Sequence, residues 1–333
     1  MGFHEFSSPY DWSRIASFKR TAKAAFGGMV DLSVGSPVDP VPDSVRKALG
    51  AASNDPNAYG YPVTAGTADL RSAIAEWFAA ARNVDLTAID ADVVPTVGSK
   101  EGVALMASLL HLGAGDVVVQ PKVSYPTYEI GTQLAGAEVL KVDDVADVES
   151  WKDVPGVKAV WVNSPCNPTG AVLAAEQMAA IVAAARGIGA VVLSDECYAL
   201  MQWGNVDVEA DADTLASTPC ALRPDVCGGS AQGVLVLYSL SKQSNMAGYR
   251  TAFIAGDKSL IVPMTAYRKQ IGQIIPGPVQ AAMAVGLRDL ESVKAQRKRY
   301  ANRLGILVSA LRAYGYCTDI PDGALYVLSL IHI

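Results

Sequence analysis

Between residues 93 and 241 the chain repeatedly changes its hydrophobic period. VVPTV (93–97), DVVVQP (116–121), AVWVNSP (159–165), AVVLSDE (190–196) and GVLVLYSLS (233–241) are short, almost unbroken apolar runs, as expected of strands covered on both faces. The segments between them, EGVALMASLLHL (101–112), TYEIGTQLAG (127–136) and AEQMAAIVAAARGIG (175–189), carry apolar residues at helical spacing, and TADLRSAIAEWFAAAR (67–82) does so ahead of the first run. Strands and helices in alternation imply an α/β fold, a mostly parallel sheet flanked by helices on both faces. In such sheets the ligand sits beyond the carboxyl ends of the strands, where this chain concentrates its polar residues. The amphipathic stretch 287–313 then leads toward a second, smaller domain.

With 333 residues, half of them hydrophobic, the chain can bury one large core and a smaller one. Its net charge of −6 comes without a basic block, so neither nucleic acid nor a membrane surface is an expected partner, and small-molecule chemistry remains. Cys166, Cys197, Cys220, Cys227 and Cys317 form an odd set without CxxC spacing. Neither a disulfide framework nor a metal site is expected, and the expected compartment is the reducing cytoplasm. The N-terminus does not resemble a signal peptide, and no apolar run reaches the roughly 18 residues of a spanning helix.

Four segments carry chemistry. In YSLSKQSNMAGYR (238–250) a strand ends in Ser-x-Ser-Lys and an arginine follows eight residues later. Lys242 can condense with an aldehyde, and Arg250 can grip a phosphate as a bidentate fork; alone, the segment also reads as a surface loop with two cations. NSPCNPTG (163–170) holds Asn167 between proline turns, either as an amide donor suited to a phenolate oxygen or simply as a turn. LSDECY (193–198) ends an apolar strand in two carboxylates. If the aldehyde is pyridoxal 5′-phosphate (PLP), Asp195 pairs with the ring nitrogen and keeps it protonated, while Tyr198 joins Asn167 at the phenolate oxygen; otherwise such carboxylates are caps or solvated loop residues. TVGSKEG (96–102) offers an anion a glycine and a helix N-terminus without Walker spacing, and also reads as a bare helix cap.

In this order the four segments resemble the class I/II aminotransferases of PLP fold type I, and the resemblance runs to about residue 327. It implies PLP as cofactor, Lys242 as the Schiff-base lysine and proton carrier, Asn167 and Tyr198 at the phenolate oxygen, and Asp195 at the ring nitrogen. Gly98, Ser99, Lys100, Ser239 and Arg250 match the phosphate cradle, Lys100 more through its backbone than its charge. Tyr125, in KVSYPTY, matches the aromatic stacked on the ring. Tyr61, in YGYPVTAGTADLR, matches the tyrosine that reaches the phosphate of the neighbouring subunit's cofactor, and Gly35, in LSVGSPVDP, the glycine against the substrate. A homodimer with shared sites follows. The implied domains are an N-terminal arm with part of the small domain (1–45), a large PLP-binding domain (46–280) and the start of a C-terminal small domain (281–327).

The implied reaction moves an amino group from an amino acid to a 2-oxo acid in two ping-pong halves, through pyridoxamine phosphate. Within the class, the runs DLSVGSPVDPVPDSV, NSPCNPTGAVL, SDECYA and SLSKQSNMAGYRTAFIAGD are most similar to the actinobacterial type of N-succinyldiaminopimelate aminotransferase, of lysine biosynthesis. That likeness implies N-succinyl-LL-2,6-diaminopimelate as donor and 2-oxoglutarate as acceptor. The rival activities on this fold are an aromatic or aspartate-type aminotransferase and a C–S β-lyase. A PLP-binding transcriptional regulator would carry a helix-turn-helix, and no such domain or basic stripe precedes residue 30.

The family continues for several tens of residues past GALYVLSLIHI, and that part normally holds the arginine that clamps the substrate α-carboxylate. LSLIHI (328–333) fits the codons CTG TCT CTT ATA CAC ATC, which resemble a transposon mosaic-end adapter. These residues are therefore expected to be a read-through artefact, or else a short terminal strand, and a second-domain strand is expected just upstream. A chain without the clamp should bind PLP yet transaminate poorly.

Overall fold

The computed structural model describes residues 12–32, 35–203 and 218–328. Two compact units divide between Ser36 and Pro37. In the first, helix α1 (Ala16–Ala24) buries none of its residues, and Lys19 pairs with Asp31 at 3.2 Å.

The second unit runs α2 (Asp43–Ser53), α3 (Ala68–Arg82), β1 (Ala91–Val97), α4 (Ser99–Leu109), β2 (Val117–Pro121), α5 (Thr127–Ala135), β3 (Glu138–Val142), β4 (Val157–Asn163), α6 (Ala175–Gly187) and β5 (Val191–Asp195). After these come α7 (Pro224–Cys227), β6 (Val234–Ser239), α8 (Leu240–Gln243), β7 (Thr251–Asp257), α9 (Lys258–Gln270), α10 (Gly277–Arg288) and α11 (Leu290–Ala313). The ends of α3 show the local logic. The Thr67 side chain accepts from the Leu70 N–H at 3.2 Å, and Asn83 closes the helix at a left-handed φ of 53°.

The strands form one sheet in the order β1-β7-β6-β5-β4-β2-β3. The β3, β2, β4, β5 and β6 pairings are parallel, and only β7 runs against its neighbours β6 and β1, so the sheet is mostly parallel, as the alternation predicts. Successive strand residues feed opposite layers. Val118, Trp161, Leu193, Leu237 and Ile254 pack with Val103 and Met106 of α4 and Met264 of α9. Val119, Val160, Val192, Val236 and Phe253 pack with α3, α6 and α10. There the Trp77 ring lies 4.2 Å from Tyr238 and 5.8 Å from Phe253, and burying a side chain such as Ile74 or Phe78 contributes about 1.5–3 kcal/mol.

Two strands escape the periodicity argument. β3 (EVLKV) is an edge strand paired only with β2 and mostly half-exposed, so it has no continuous apolar run. β7 (TAFIAGD) has a short apolar run that ends at Gly256, where a Cβ would lie 2.0 Å from Val234 O. The amphipathic stretch 287–313 is two helices, broken at Asp289, whose carboxylate accepts from the Ser292 N–H at 3.1 Å. The second-domain strand expected upstream of GALYV is absent among the described residues. Its backbone groups go elsewhere, with one isolated antiparallel bridge between Gln202 and Gly323 and a bond from the Gly323 N–H to Gly170 O at 2.8 Å. Of the adapter-like segment, residues 329–333 lie outside the described residues.

A buried ion pair fixes the exit of β5. Arg82 Nη2 donates to Glu196 Oε2 at 2.6 Å, with both side chains no more than 1% exposed. Arg82 also donates to the carbonyls of Thr218 and Pro219, and Glu196 accepts from Ser194 Oγ and the Ala221 N–H. Removing one member strands a buried charge, so Arg82→Leu is expected to cost about 3–5 kcal/mol. Urea unfolding checks this, and Arg82→Leu with Glu196→Leu should recover part of the loss.

Candidate active site

The register of the sheet brings several of the expected residues to one edge. Asn163 pairs with Asp195 across β4 and β5, and Asp195 pairs with Leu237, two residues before Ser239 at the end of β6. Because β7 runs antiparallel, it starts where β1 and β6 end, with Val97 opposite Thr251 and Ser239 opposite Ala252. Arg250 therefore arrives beside Gly98.

Asp195 is 6% exposed. Its Oδ2 accepts from the Tyr128 hydroxyl at 2.8 Å and its Oδ1 from the Cys197 N–H at 3.1 Å. Burial pushes its carboxyl above the usual range, against the lowering effect of the bonds from Cys197 and Tyr128. Tyr128 is held in turn by stacking on Trp161, with ring centroids 4.4 Å apart and planes 14° apart. Asn163 Nδ2 donates to Asp195 O at 3.0 Å while its Oδ1 accepts from the Asn167 N–H at 2.7 Å, so one side chain ties the Asn167 loop to the end of β5.

Lys242 lies on α8, half-buried, with Nζ 5.9 Å from the centre of the Tyr198 ring. Burial lowers its pKa, partly offset by Cys197. Tyr198 is buried, and its hydroxyl lies 2.7 Å from that of Tyr326. The Cys197 thiol sits among Asp195, Ser99 and Lys242; burial and then the Asp195 charge push it far above an ordinary thiol.

The end expected to take an anion is built on α4. Gly98, at φ 77°, is the N-cap, and no side chain caps the helix, which leaves first-turn N–H groups for a guest. A Cβ on Gly98 would lie 2.1 Å from Arg250 Nη2, so only glycine lets the guanidinium lie against this turn. Arg250 is exposed, and its Nη1 donates to Ala247 O at 2.8 Å. Ser239 Oγ accepts from the Ser241 N–H at 3.1 Å. Ser99 is half-buried, and the exposed Lys100 places its ammonium 5.8 Å from the centre of the Tyr125 ring. From behind, Glu101 Oε2 accepts from the Val97 N–H at 3.0 Å and the carboxylate is held by both Nη atoms of buried Arg268, at 2.7 and 2.9 Å.

Tyr61 is fully exposed in this chain, on a surface shared with Ala58, Val63, Gly277 and Pro278. Gly35 belongs to the N-terminal unit. Sequence reasoning passed over Tyr128, Tyr326, Glu101 and Arg268. Only Tyr128 left a signal, lying one helical turn after Tyr125 in SYPTY and directly before an apolar face.

The lowered pKa of Lys242 has a testable sign. Its amine loses the proton below the roughly 10.4 of a free lysine, so capture of an aldehyde should rise with pH and level off early; borohydride-fixed label on Lys242, measured against pH, reads the midpoint. By the same linkage, this group's contribution to stability should improve as pH rises from the lowered value toward about 10.4. A capture midpoint at or above the free-lysine value would contradict the geometry.

The family model for aminotransferase class I and II matches residues 27–332. The chain is 41% identical to the probable aminotransferase Rv1178 of Mycobacterium tuberculosis, over 96% of this chain and 72% of that protein. It is 40% identical to the 4-dedimethylamino-4-oxo-anhydrotetracycline transaminase OxyQ of Streptomyces rimosus, over 96% of this chain and 83% of that protein. Among solved structures it is similar to the N-succinyldiaminopimelate aminotransferase of Mycobacterium tuberculosis, with a TM-score of 0.75 and 26% identity, covering 88% of this chain and 75% of that one. With this fold and this edge, the chain belongs to the class I and II aminotransferases, which use pyridoxal 5′-phosphate.

Proposed function

We propose that this aminotransferase takes its amino group from N-succinyl-LL-2,6-diaminopimelate and passes it to 2-oxoglutarate, with Lys242 as the proton carrier. One observation carries the mechanism: a lysine of lowered basicity and a buried carboxylate share one strand edge, 5.9 Å separating Lys242 Nζ from the ring of the tyrosine three residues after Asp195. The donor rests on the sequence runs quoted above and on the likeness to the mycobacterial N-succinyldiaminopimelate aminotransferase.

The residues present fit PLP. A protonated ring nitrogen supplies the cation that the buried Asp195 carboxylate otherwise lacks among its hydrogen-bond donors. Gly98, Ser99, Lys100, Ser239 and Arg250 offer backbone donors, hydroxyls and a guanidinium to the phosphate, around a turn where a Cβ has no room. Asn167 and Tyr198 serve the phenolate oxygen, and Tyr125 covers the ring. When bound, PLP supplies an electron sink that acidifies the substrate Cα–H. Lys242 Nζ takes that proton and returns it on the other side of the transfer. Tyr61 is assigned to the site of a second copy in a homodimer.

OxyQ gives a second reading, a cyclic ketone as amino acceptor, because the chain is 40% identical to it. A donor screen with 2-oxoglutarate, and an acceptor screen that includes a polycyclic ketone, separates the two. Turnover of aromatic or branched donors with none of N-succinyl-diaminopimelate removes the proposed donor while leaving the class untouched. Gly98→Ala should keep the fold and weaken PLP binding by at least about tenfold, since a lost charge-assisted bond is worth about 1.5–3 kcal/mol; equilibrium titration of the cofactor's absorbance checks it. Lys242→Ala should leave PLP bound without any borohydride-fixable adduct.

A further inference from the structure

Tyr326 reaches the active edge because the segment before it is held from three sides. A Cβ on Gly323 would lie 2.7 Å from Pro165 Cβ and 2.9 Å from Met201 O, and one on Gly170 would lie 2.5 Å from Pro321 Cβ. Glycines at both positions let the backbone pass between the Asn167 loop and the segment that leaves Tyr198. The Ala324 N–H then donates to Met201 O at 2.8 Å, and Trp203 Nε1 donates to Ala324 O at 2.6 Å. This clamp sets the Tyr326 hydroxyl 2.7 Å from that of Tyr198, with the rings edge to face, 5.8 Å apart at 73°.

A phenol has one proton to give and lone pairs to accept with. Where Tyr198 donates to an anionic oxygen, the charge-assisted bond takes its proton, and the bond to Tyr326 must then run from Tyr326 to Tyr198. Accepting that bond polarises the Tyr198 O–H and strengthens it as a donor. We propose that Tyr326 is a positioning residue for the cofactor's phenolate oxygen, acting through Tyr198 as the outer member of a two-phenol donor relay. The proposal rests on the role given to Tyr198 above. The titratable groups that face the pair are Lys242, Cys197, Asp195 and Tyr125, and Tyr300 lies in the same apolar cluster. Burial raises the pKa of both phenols, so both remain protonated while the cofactor titrates.

Tyr326→Phe keeps the ring and removes only the hydroxyl. With PLP bound, the pH midpoint of the visible absorbance change should move up by about 0.3–1 unit, as expected for one neutral hydrogen bond. Tyr198→Phe should move it further, and the double variant no further than Tyr198→Phe alone. Incorporating 3-fluorotyrosine at position 326, a stronger donor of nearly equal size, should move it down. An unchanged midpoint in Tyr326→Phe beside a raised one in Tyr198→Phe overturns the relay alone, and so do additive shifts in the double variant. An unchanged midpoint in Tyr198→Phe overturns the reading of Tyr198 and the relay with it.

Discussion

Placing the Asp195 carboxylate inside the protein, at the end of a strand buried on both faces, dictates much of what surrounds it. A carboxylate with so little water needs donors, and two arrive from different elements: the Tyr128 hydroxyl from α5 and the Cys197 N–H from its own turn. Each needs support in turn. Tyr128 is fixed by stacking on Trp161 of β4, and the turn is fixed because the next carboxylate, Glu196, is locked to Arg82 of α3. Two adjacent acids in one sequence run thus face different partners. One is neutralised structurally by an arginine, while the other is met by a hydroxyl and an amide donor, neither of them charged.

The same separation of duties holds at the N-terminus of α4, the end proposed for the phosphate. Glu101 sits in the first turn of α4, where a free carboxylate would repel a phosphate at the helix N-terminus. Its two oxygens are instead occupied by Arg268 and by the Val97 N–H. The acid then braces the turn from behind instead of competing at the mouth. Arg250, by contrast, is exposed and among the described residues bonds to the backbone carbonyls of Ala247 and Val97, with no carboxylate among these partners.

The fold class and most of the edge could be read from the chain, because both depend on local pattern. Strands buried on both faces give unbroken valine and leucine runs, and the residues where those runs end, Asn163, Asp195 and Ser239, are the residues at the edge. β3 was illegible because an edge strand need not be apolar, and β7 because its apolar run is short and ends at Gly256, where Val234 O leaves no room for a Cβ. Tyr326, Arg268 and Arg82 were illegible for a different reason. Each acts across more than a hundred residues of sequence, on Tyr198, Glu101 and Glu196, and nothing in its own neighbourhood marks it. The break at Asp289 and the absence of a strand before GALYV likewise depend on which groups lie nearby in space.

Burial acts on Asp195 and Lys242 in opposite senses, raising the acid's pKa and lowering the amine's, and both shifts favour the neutral form. That combination suits a group that brings its own charges. With a pyridine nitrogen beside Asp195, as proposed, the carboxylate that burial makes costly to leave unpaired would gain a cationic partner, and the nitrogen would hold its proton more firmly. An amine that gives up its proton early is ready both to bind an aldehyde and to take a proton from carbon. Neither property requires unusual residues. Each requires an ordinary side chain at a strand end, with the solvent kept away by the two apolar layers that the alternating strands were already building.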